Sequence, residues 1–329
     1  MSKSLVTGGS GFLGRHLVAA LCARGDQVRV LDLMPPDGLP QGIQFVAGSI
    51  LDADVVRQAM TQVSHVYHLA GIAKLWAPDK SGFETVNWRG TETVLRAAAD
   101  ARVTRVVHCS TEAILLPPDR GRRANIDESA PPPYDDMPGP YTRSKHRAEQ
   151  AALAAAQRGL DVVIVNPTVP LGAEDRNLTP PAAMLSMFLS GGSPAFLDCI
   201  LNLVDVRDVA AGFVLAAERG RAGERYILGG ENVSLRDLLL LLEQISGRRM
   251  PKRAVPAPVA LASAAVAEWI ADYLTRRQPV ATREGVRLAL RSAPFDSRKA
   301  REELGFAPRP IGDALDQAVR WLSAAAISR

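Results

Sequence analysis

LVTGGSGFLG, residues 5–14, passes from a short apolar run into a glycine-rich turn. Its glycines follow G-x-x-G-x-x-G spacing where a predicted strand meets a predicted helix. Such a turn lets backbone amides approach a pyrophosphate, and the N-terminus of the following helix favours negative charge. Because both the strand and the helix are present, the stretch predicts a dinucleotide-binding turn rather than a merely structural one. Its cofactor-binding residues are predicted to be Gly8, Gly11, Phe12, Leu13 and Gly14.

The composition is that of an ordinary globular enzyme. The chain has 329 residues, of which 47% are hydrophobic and 22% are charged, and its formal net charge is +4. Its basic residues are scattered, except for a cluster of Arg120, Arg122 and Arg123 in a proline-rich loop. Such a cluster is more typical of a solvated loop than of a nucleic-acid interface, so we expect no nucleic-acid partner.

The cysteines and the apolar segments bear on the cell compartment. Cys22, Cys109 and Cys199 form no C-x-x-C pair and no His/Cys cluster, which predicts a reducing compartment and no metal site. No signal peptide and no apolar run of membrane-spanning length is found, so we expect a cytoplasmic protein without a transmembrane segment. The alanine-rich segment 254–271 predicts a helix, and whether it docks on a membrane stays open at this stage.

Strand-like and helix-like segments alternate through the first half. This alternation predicts an α/β fold, a Rossmann-type doubly wound parallel sheet with helices on both faces. The strand-like runs are residues 5–6, 28–31, 43–46, 65–69, 103–108 and 162–165, and the helical patterns are 13–23, 53–59, 87–101 and 141–157.

The second half is divided between two predicted domains. Residues 203–206 and 226–228 are expected to be late strands of the main sheet. We therefore predict a nucleotide-binding domain of residues 1–167 and 201–228. A smaller, mostly helical substrate lobe is predicted from residues 168–200 and 229–329, with helices beginning at Ser234 and Ile311. The segment 115–139, rich in Pro, Asp and Arg, predicts a loop that borders a pocket.

Residues at two strand ends extend the predicted cofactor site. Asp32 closes the second strand, where a carboxylate accepts hydrogen bonds from ribose hydroxyls and repels a 2′-phosphate. This favours NAD(H) over NADP(H), although Arg29 is close in sequence. Leu69, Ala70 and Gly71 end the fourth strand and are expected to pass close to the cofactor, whereas the preceding His68 is expected to be a core residue.

Tyr141 and Lys145 form the predicted chemical motif. Spaced four residues apart on a helix, they lie on one face. An ammonium beside a phenol favours the phenolate and lowers its pKa from about 10, which lets the tyrosine exchange a proton with a carbonyl or alcohol oxygen. Thr111, with Ser110 as second choice, is expected to hydrogen-bond the substrate oxygen.

Together these motifs resemble the extended short-chain dehydrogenase/reductase superfamily over nearly the whole chain. The resemblance rests also on Asn87, which is expected to cap a helix, and on Asn166-Pro167-Thr168. It implies a Rossmann-type domain that holds NAD(P), with Asn87, Tyr141, Lys145, Pro167 and Thr168 among the cofactor contacts. It also implies a homodimer formed through helices 87–101 and 141–157.

The branch of the superfamily bears on the substrate. Nucleotide-sugar enzymes usually carry an arginine for the diphosphate where this chain has Leu201, and a later R-P-G-D element is not evident. The chain is most similar to the dihydroflavonol-reductase-like branch and, at residues 166–172 and 223–232, to the hopanoid-associated sugar epimerase group. The substrate lobe is expected to be apolar, from Met184, Leu185, Met187, Phe188, Leu189, Phe196 and Leu197.

Three functions remain open from the sequence. The leading hypothesis is an oxidoreductase that moves a hydride between nicotinamide and a secondary alcohol or ketone of a hydrophobic or non-nucleotide small molecule. The alternative is an NAD-dependent sugar 4-epimerase, which uses the same residues. The third is a non-catalytic NAD-sensing regulator, although regulators of this kind usually lose the tyrosine or the lysine.

Overall fold

A computed structural model describes residues 3–35, 38, 40, 42–118, 125–129 and 131–327. The predicted parallel sheet is present in it. The strands are β1 (Lys3–Thr7), β2 (Gln27–Asp32), β3 (Gln44–Ala47), β4 (His65–His68), β5 (Arg105–Cys109), β6 (Val162–Pro167), β7 (Val169–Leu171), β8 (Ala195–Phe196), β9 (Ile200–Asp205), β10 (Arg225–Leu228), β11 (Glu231–Ser234) and β12 (Arg253–Ala254).

The helices lie mostly where the sequence predicted them. They are α1 (Phe12–Ala23), α2 (Ala53–Ala59), α3 (Ser81–Phe83), α4 (Gly90–Asp100), α5 (Pro140–Gln157), α6 (Pro180–Leu189), α7 (Val206–Arg219), α8 (Leu235–Ser246), α9 (Ala257–Ile270), α10 (Arg283–Arg291) and α11 (Ile311–Ile327). Shorter π-helical stretches cover Glu84–Arg89, Ala271–Thr275 and Ala300–Leu304, and 3₁₀ turns cover Glu112–Ile114 and Tyr134–Asp136.

The main sheet has the strand order β3-β2-β1-β4-β5-β6-β10, and every neighbouring pair is parallel. Successive residues of a strand face opposite sides of the sheet. Val6 accordingly packs with α1 and α7 on one face, and Leu5 with α2, α4 and α5 on the other. The strand order reverses between β1 and β4, and ligands of such sheets bind at the carboxyl ends of the strands there.

The predicted substrate lobe contains strands of two small sheets and a core of its own. One small sheet has the order β11-β9-β7, and the other pairs β12 with β8. The prediction that residues 203–206 return to the main sheet is therefore wrong, because β9 pairs with β7 and β11 instead. The prediction for β10 is confirmed. Ser234 caps α8 through its hydroxyl, as predicted.

The predicted apolar residues of the lobe are mostly its core. Leu185, Phe188, Leu189 and Phe196 are buried against α8 and α11, and Met184 and Met187 pack on the same cluster, while Leu197 joins a cluster beside α9 and α10. Their burial stabilises the lobe and supplies little surface for a ligand. Among the described residues, no helix is both long and apolar enough to cross a bilayer.

Candidate active site

The glycine-rich turn is shaped by close backbone packing after β1. Gly8 has φ +74°, and a Cβ atom on it would lie 2.6 Å from the backbone N of Ala70. A Cβ atom on Gly14 would lie 2.1 Å from the carbonyl oxygen of Gly8. Gly11 caps α1 without a side-chain hydrogen bond, and the first turn of α1 holds no acidic residue. The glycines place no side chain over the N-terminus of α1, so a pyrophosphate fits against the N–H groups of its first turn.

Asp32 lies beside the turn, at the end of β2. Its carboxylate accepts the N–H of Ser10 at 3.0 Å and the N–H of Leu33 at 2.7 Å, so its position is fixed. The neighbouring Arg29 points elsewhere, and its guanidinium donates to the carbonyl oxygens of Ala59 and Thr61 at 2.7 and 2.9 Å. The Asp32 carboxylate thus lies where an adenosine ribose fits, and the guanidinium of Arg29 is hydrogen-bonded away from it.

The second edge of the site is the segment after β4, held by Asn87. Its amide oxygen accepts the N–H of Ile72 at 2.6 Å, and its amide nitrogen donates to the Ile72 carbonyl at 3.1 Å and to Ser144 Oγ at 2.9 Å. Asn87 does not cap a helix as predicted, because it lies inside the π-helical stretch Glu84–Arg89. It instead joins Ile72, which directly follows Leu69–Gly71, to Ser144 of α5.

His68 is a core residue, as predicted. Its ring nitrogens hydrogen-bond the hydroxyls of Thr7 at 2.7 Å and Thr91 at 2.9 Å. Burial lowers the pKa of His68 to about 3, with the nearby Lys145 ammonium contributing in the same direction. A histidine that is neutral and has both nitrogens occupied is suited to holding β4 against α4.

The predicted chemical residues meet at the carboxyl end of β5. Tyr141 and Lys145 lie one helical turn apart at the start of α5, and the phenol of Tyr141 lies next to the Thr111 side chain. Lys145 Nζ donates to the carbonyl oxygen of Cys109 at 2.5 Å. Ser110 is buried, and its hydroxyl has no hydrogen-bond partner among the described residues. The structure therefore brings Thr111, rather than Ser110, to the phenol.

The charge state of Tyr141 differs from the prediction. Burial raises the pKa of Tyr141 above its usual value, and this outweighs the opposing effect of the neighbouring Thr111 side chain. Burial also lowers the pKa of Lys145, whose ammonium is bonded to the Cys109 carbonyl. Contrary to the sequence prediction, the phenol is thus held in its protonated form, which is the form that donates a proton.

Glu112 is a site residue that the sequence argument missed. The Thr111 hydroxyl donates to its carboxylate at 2.8 Å, and the side chain is only partly exposed. Burial raises the pKa of Glu112 to about 7, against weaker opposing effects of hydrogen bonds from Thr111 and from backbone N–H groups. A titratable carboxyl therefore lies one hydrogen bond from Thr111. Its only sequence signal was an acidic residue directly after the predicted Ser-Thr pair.

Asn166, Pro167 and Thr168 support the site from β6. The Asn166 amide nitrogen donates to the Thr111 carbonyl and to a carboxylate oxygen of Glu149, both at 3.0 Å. Pro167 ends β6, and the N–H of Thr168 donates to the Leu228 carbonyl at 3.3 Å. These bonds fix the backbone of Thr111 relative to α5.

Glu284 was also missed, and it reaches the site from the substrate lobe. Its buried carboxylate accepts the N–H of Tyr141 at 3.1 Å, and the N–H and hydroxyl of Thr142 at 2.8 and 2.7 Å. A carboxylate at a helix N-terminus satisfies free N–H groups and is stabilised by the helix dipole. Glu284 thus caps α5 beside its tyrosine. The distance of 143 residues in sequence explains why no local signal announced it.

The loop 115–139 is partly described. Leu115, Leu116, Ile126 and Met137 bury a small core with Phe295. The prediction that this loop borders a pocket is matched by Pro138 and Gly139, which line a cavity of about 200 Å³ together with residues of α5, α9 and α10. The predicted solvated cluster at Arg120, Arg122 and Arg123 lies outside the described residues.

Leu201 is the residue at which the superfamily resemblance leads us to expect an arginine in nucleotide-sugar enzymes. It lies in β9, pairs with Val233 of β11 and packs against the lobe core. An aliphatic side chain turned into a core offers nothing to a diphosphate.

The chain is similar to proteins of known family. Residues 4–229 match the model of the NAD dependent epimerase/dehydratase family. A Synechocystis sp. protein, named provisionally as a dihydroflavonol 4-reductase, is 40% identical, with 96% of this chain and 93% of that protein covered. A 4-hydroxy-2-methyl-3-oxo-4-farnesyl-3,4-dihydroquinoline-1-oxide ketoreductase of Stigmatella aurantiaca is 37% identical, with 96% of each chain covered.

A solved structure shows the same fold with a bound nucleotide. The UDP-glucose 4-epimerase of Thermus thermophilus, in complex with NAD, superimposes with a TM-score of 0.77 at 25% identity. The alignment covers 98% of this chain and 99% of that one.

Proposed function

The chain belongs to the NAD dependent epimerase/dehydratase family, and from this premise we propose that it is an NAD(H)-preferring ketoreductase. Its substrate is a ketone of a hydrophobic or non-nucleotide small molecule, reduced to a secondary alcohol. One observation carries the proposal: the Tyr141 phenol lies beside Thr111 at the end of β5, across the strand-order reversal from the glycine-rich turn.

The residues divide the work of ketone reduction. The cofactor supplies the hydride when it is bound. Tyr141 donates its proton to the carbonyl oxygen as negative charge develops there, and the Thr111 hydroxyl, once it turns from Glu112, donates to the same oxygen. A phenol is protonated at neutral pH, which is the form that proton donation to a carbonyl oxygen requires. Lys145 holds a positive charge beside the reacting atoms. Asn87 donates to Ser144 and Glu284 accepts the N–H of Tyr141, so both residues hold the start of α5 in place.

The preference for NAD(H) is supported by charge. Asp32 is held beside the turn by two backbone N–H groups, so a 2′-phosphate would meet a fixed carboxylate. Arg29 is bonded to the end of α2 and cannot neutralise that phosphate without breaking those bonds. The glycine cradle, Leu69–Gly71 and Thr168 are the proposed remaining contacts.

The substrate class draws on two observations. Leu201 packs into the lobe core, which removes a cation that a sugar diphosphate would need. The Stigmatella aurantiaca relative is named for the reduction of a farnesylated quinoline oxide, a hydrophobic ketone. We also propose the homodimer through α4 and α5, and the division into a nucleotide-binding domain and a substrate lobe, on the superfamily pattern.

Absorbance at 340 nm tests the proposal, with purified protein, NADH or NADPH, and panels of hydrophobic ketones and nucleotide hexoses. We expect NADH consumption with a ketone, and a loss of kcat of about 10²–10⁴ in Tyr141→Phe with NADH binding retained. The exposed Tyr273 provides the matched control, because Tyr273→Phe removes a hydroxyl remote from the chemistry.

Other outcomes identify the alternatives. Interconversion of a nucleotide hexose without net NADH consumption would make the protein a 4-epimerase and our reading of Leu201 wrong. NADH binding without turnover of any compound would favour the NAD-sensing regulator. Full turnover by Tyr141→Phe would refute the proposed acid.

A further inference from the structure

One surface of the substrate lobe collects most of the exposed apolar side chains. Among the described residues, eleven large apolar side chains are exposed, and seven of them lie between positions 259 and 280. We name these seven the apolar face. They are Val259, Val266, Trp269, Ile270, Tyr273, Leu274 and Val280. Such a concentration is unusual, because scattered single apolar residues are the norm on protein surfaces.

Helical spacing places most of the apolar face on one side of α9 and the π-helical stretch after it. Positions 259, 266, 270 and 273 are separated by seven, four and three residues, which is the spacing of one helix face. On the other side, Ala260 and Ala264 pack against α10. Tyr273 and Leu274 are 73% and 67% exposed, so the outward side has no covering element in the described structure.

The aromatic pair gives the face an amphipathic character. The rings of Trp269 and Tyr273 lie 5.7 Å apart and are both exposed. Trp and Tyr are the side chains that collect at membrane–water interfaces, because each combines an apolar ring with a polar atom. The pair is therefore suited to the boundary between lipid and water.

Within residues 252–280, the exposed charged side chains are all basic. Arg276 and Arg277 follow the helix, and residues 252–253, a lysine and an arginine, precede it, and all four are exposed. The two acidic residues of the segment are turned inward. Glu268 is buried and pairs with Arg283 at 2.6 Å, and Asp272 pairs with Lys80 at 3.1 Å and accepts the indole N–H of Trp76 at 2.7 Å.

We propose that the apolar face docks this protein on an anionic phospholipid bilayer, with α9 lying in the plane of the membrane. An interfacial helix binds through apolar side chains at the acyl boundary and cations at the headgroups. The face has both, and its acids point into the protein. A neutral partner surface would not need the flanking arginines, so charge complementarity favours the bilayer over a second copy of this chain.

The docked face would lie close to the candidate active site. Helix α10 packs against α9, and Glu284 of α10 caps the helix that carries Tyr141. Docking would therefore bring the site within one helix of the lipid phase, where a hydrophobic ketone partitions. The docking itself does not depend on the proposed reaction.

Co-sedimentation of the full chain with phospholipid vesicles tests this inference. One vesicle preparation is phosphatidylcholine alone, and the other contains about one third phosphatidylglycerol. We expect the protein to pellet with the anionic vesicles and to be released by high salt. Trp269→Ala with Leu274→Ala should weaken binding by at least about tenfold, and Arg276→Glu with Arg277→Glu by roughly tenfold or more. The control is Leu240→Ala, which removes an exposed leucine from α8.

The possible results distinguish docking on the bilayer from the alternatives. Retained binding by Leu240→Ala with loss in both double variants supports docking, and thermal unfolding shows whether the variants are folded. Wild-type protein that stays in the supernatant with both vesicles overturns it, as does equal binding by the face variants. Self-association in sedimentation velocity that Trp269→Ala with Leu274→Ala abolishes, without vesicle binding, would assign the face to a second copy instead.

Discussion

Replacing Glu112 by glutamine should stabilise the protein at alkaline pH. The carboxyl of Glu112 is partly buried beside Thr111, and burial raises its pKa to about 7 from an ordinary value of 4.5. A raised carboxyl pKa favours the protonated form in the folded state. The folded state therefore has its full stability below about pH 4.5 and loses some of it as the pH rises through 7. Glutamine keeps the shape and cannot ionise.

The magnitude follows from the size of the pKa change. Ionising such a group at pH 8 costs roughly 3 kcal/mol of unfolding free energy, and solvent screening of a partly exposed carboxyl lowers this to about 1–3 kcal/mol. Glu112→Gln should be more stable than the wild type by that amount at pH 8, and by less than about 1 kcal/mol at pH 5. The gain at alkaline pH would show that the wild-type site holds a carboxyl at the expense of stability.

Urea unfolding of both proteins at pH 5 and pH 8 measures the difference. Glu302→Gln is the control, because that glutamate is exposed and its replacement should change stability little at either pH. A stability difference between Glu112→Gln and the wild type that does not vary with pH would refute the reasoning. So would a wild type that is the more stable protein at pH 8.

Three further predictions concern the cradle, the cap and the ribose carboxylate. Gly14→Ala should weaken NADH binding at least about tenfold in a fluorescence titration, because its Cβ atom would meet the Gly8 carbonyl; unchanged affinity would contradict the packing argument. Glu284→Ala should cost about 2–4 kcal/mol in urea unfolding, since it leaves two buried N–H groups unpaired beside Tyr141, whereas Glu284→Gln should recover most of that loss. Asp32→Ala should lower the NADPH-to-NADH ratio of KM values at least about tenfold, and an unaltered ratio would remove the carboxylate from the account of cofactor preference.

Local signals in the sequence were sufficient to predict the strands, helices and glycine-rich turn of the first half of the chain. The glycine turn, the apolar strands and the position of Asp32 each depend on neighbours in sequence, and each is found where it was predicted. Tyr141 and Lys145 were predictable for the same reason, because one helical turn joins them. The resemblance to a known superfamily added the expectation that Asn87 and Thr168 contact the cofactor, which no local pattern indicates.

The failures share a physical cause, which is dependence on distant parts of the chain. The apolar sequence of β9 is compatible with either the large sheet or a small one. Tertiary packing determines which sheet the strand joins. The sequence predicts Asn87 as a helix cap, but the helix begins earlier. Residues Glu84–Arg89 are π-helical, and their apolar residues do not follow the spacing that marks an α-helix. The direction of the pKa change at Tyr141 depends on burial, which a sequence pattern does not reveal.

The carboxylate of Glu284 has a consequence for how the two halves of this protein can diverge. Glu284 of α10 accepts the first free N–H groups of α5. A change in the segment that carries Glu284 therefore also changes the helix that carries Tyr141. If the predicted substrate lobe were replaced by that of a relative, the new lobe would have to supply a hydrogen-bond acceptor for the N–H groups at the start of α5. Substrate range is therefore expected to diversify around a fixed acidic anchor.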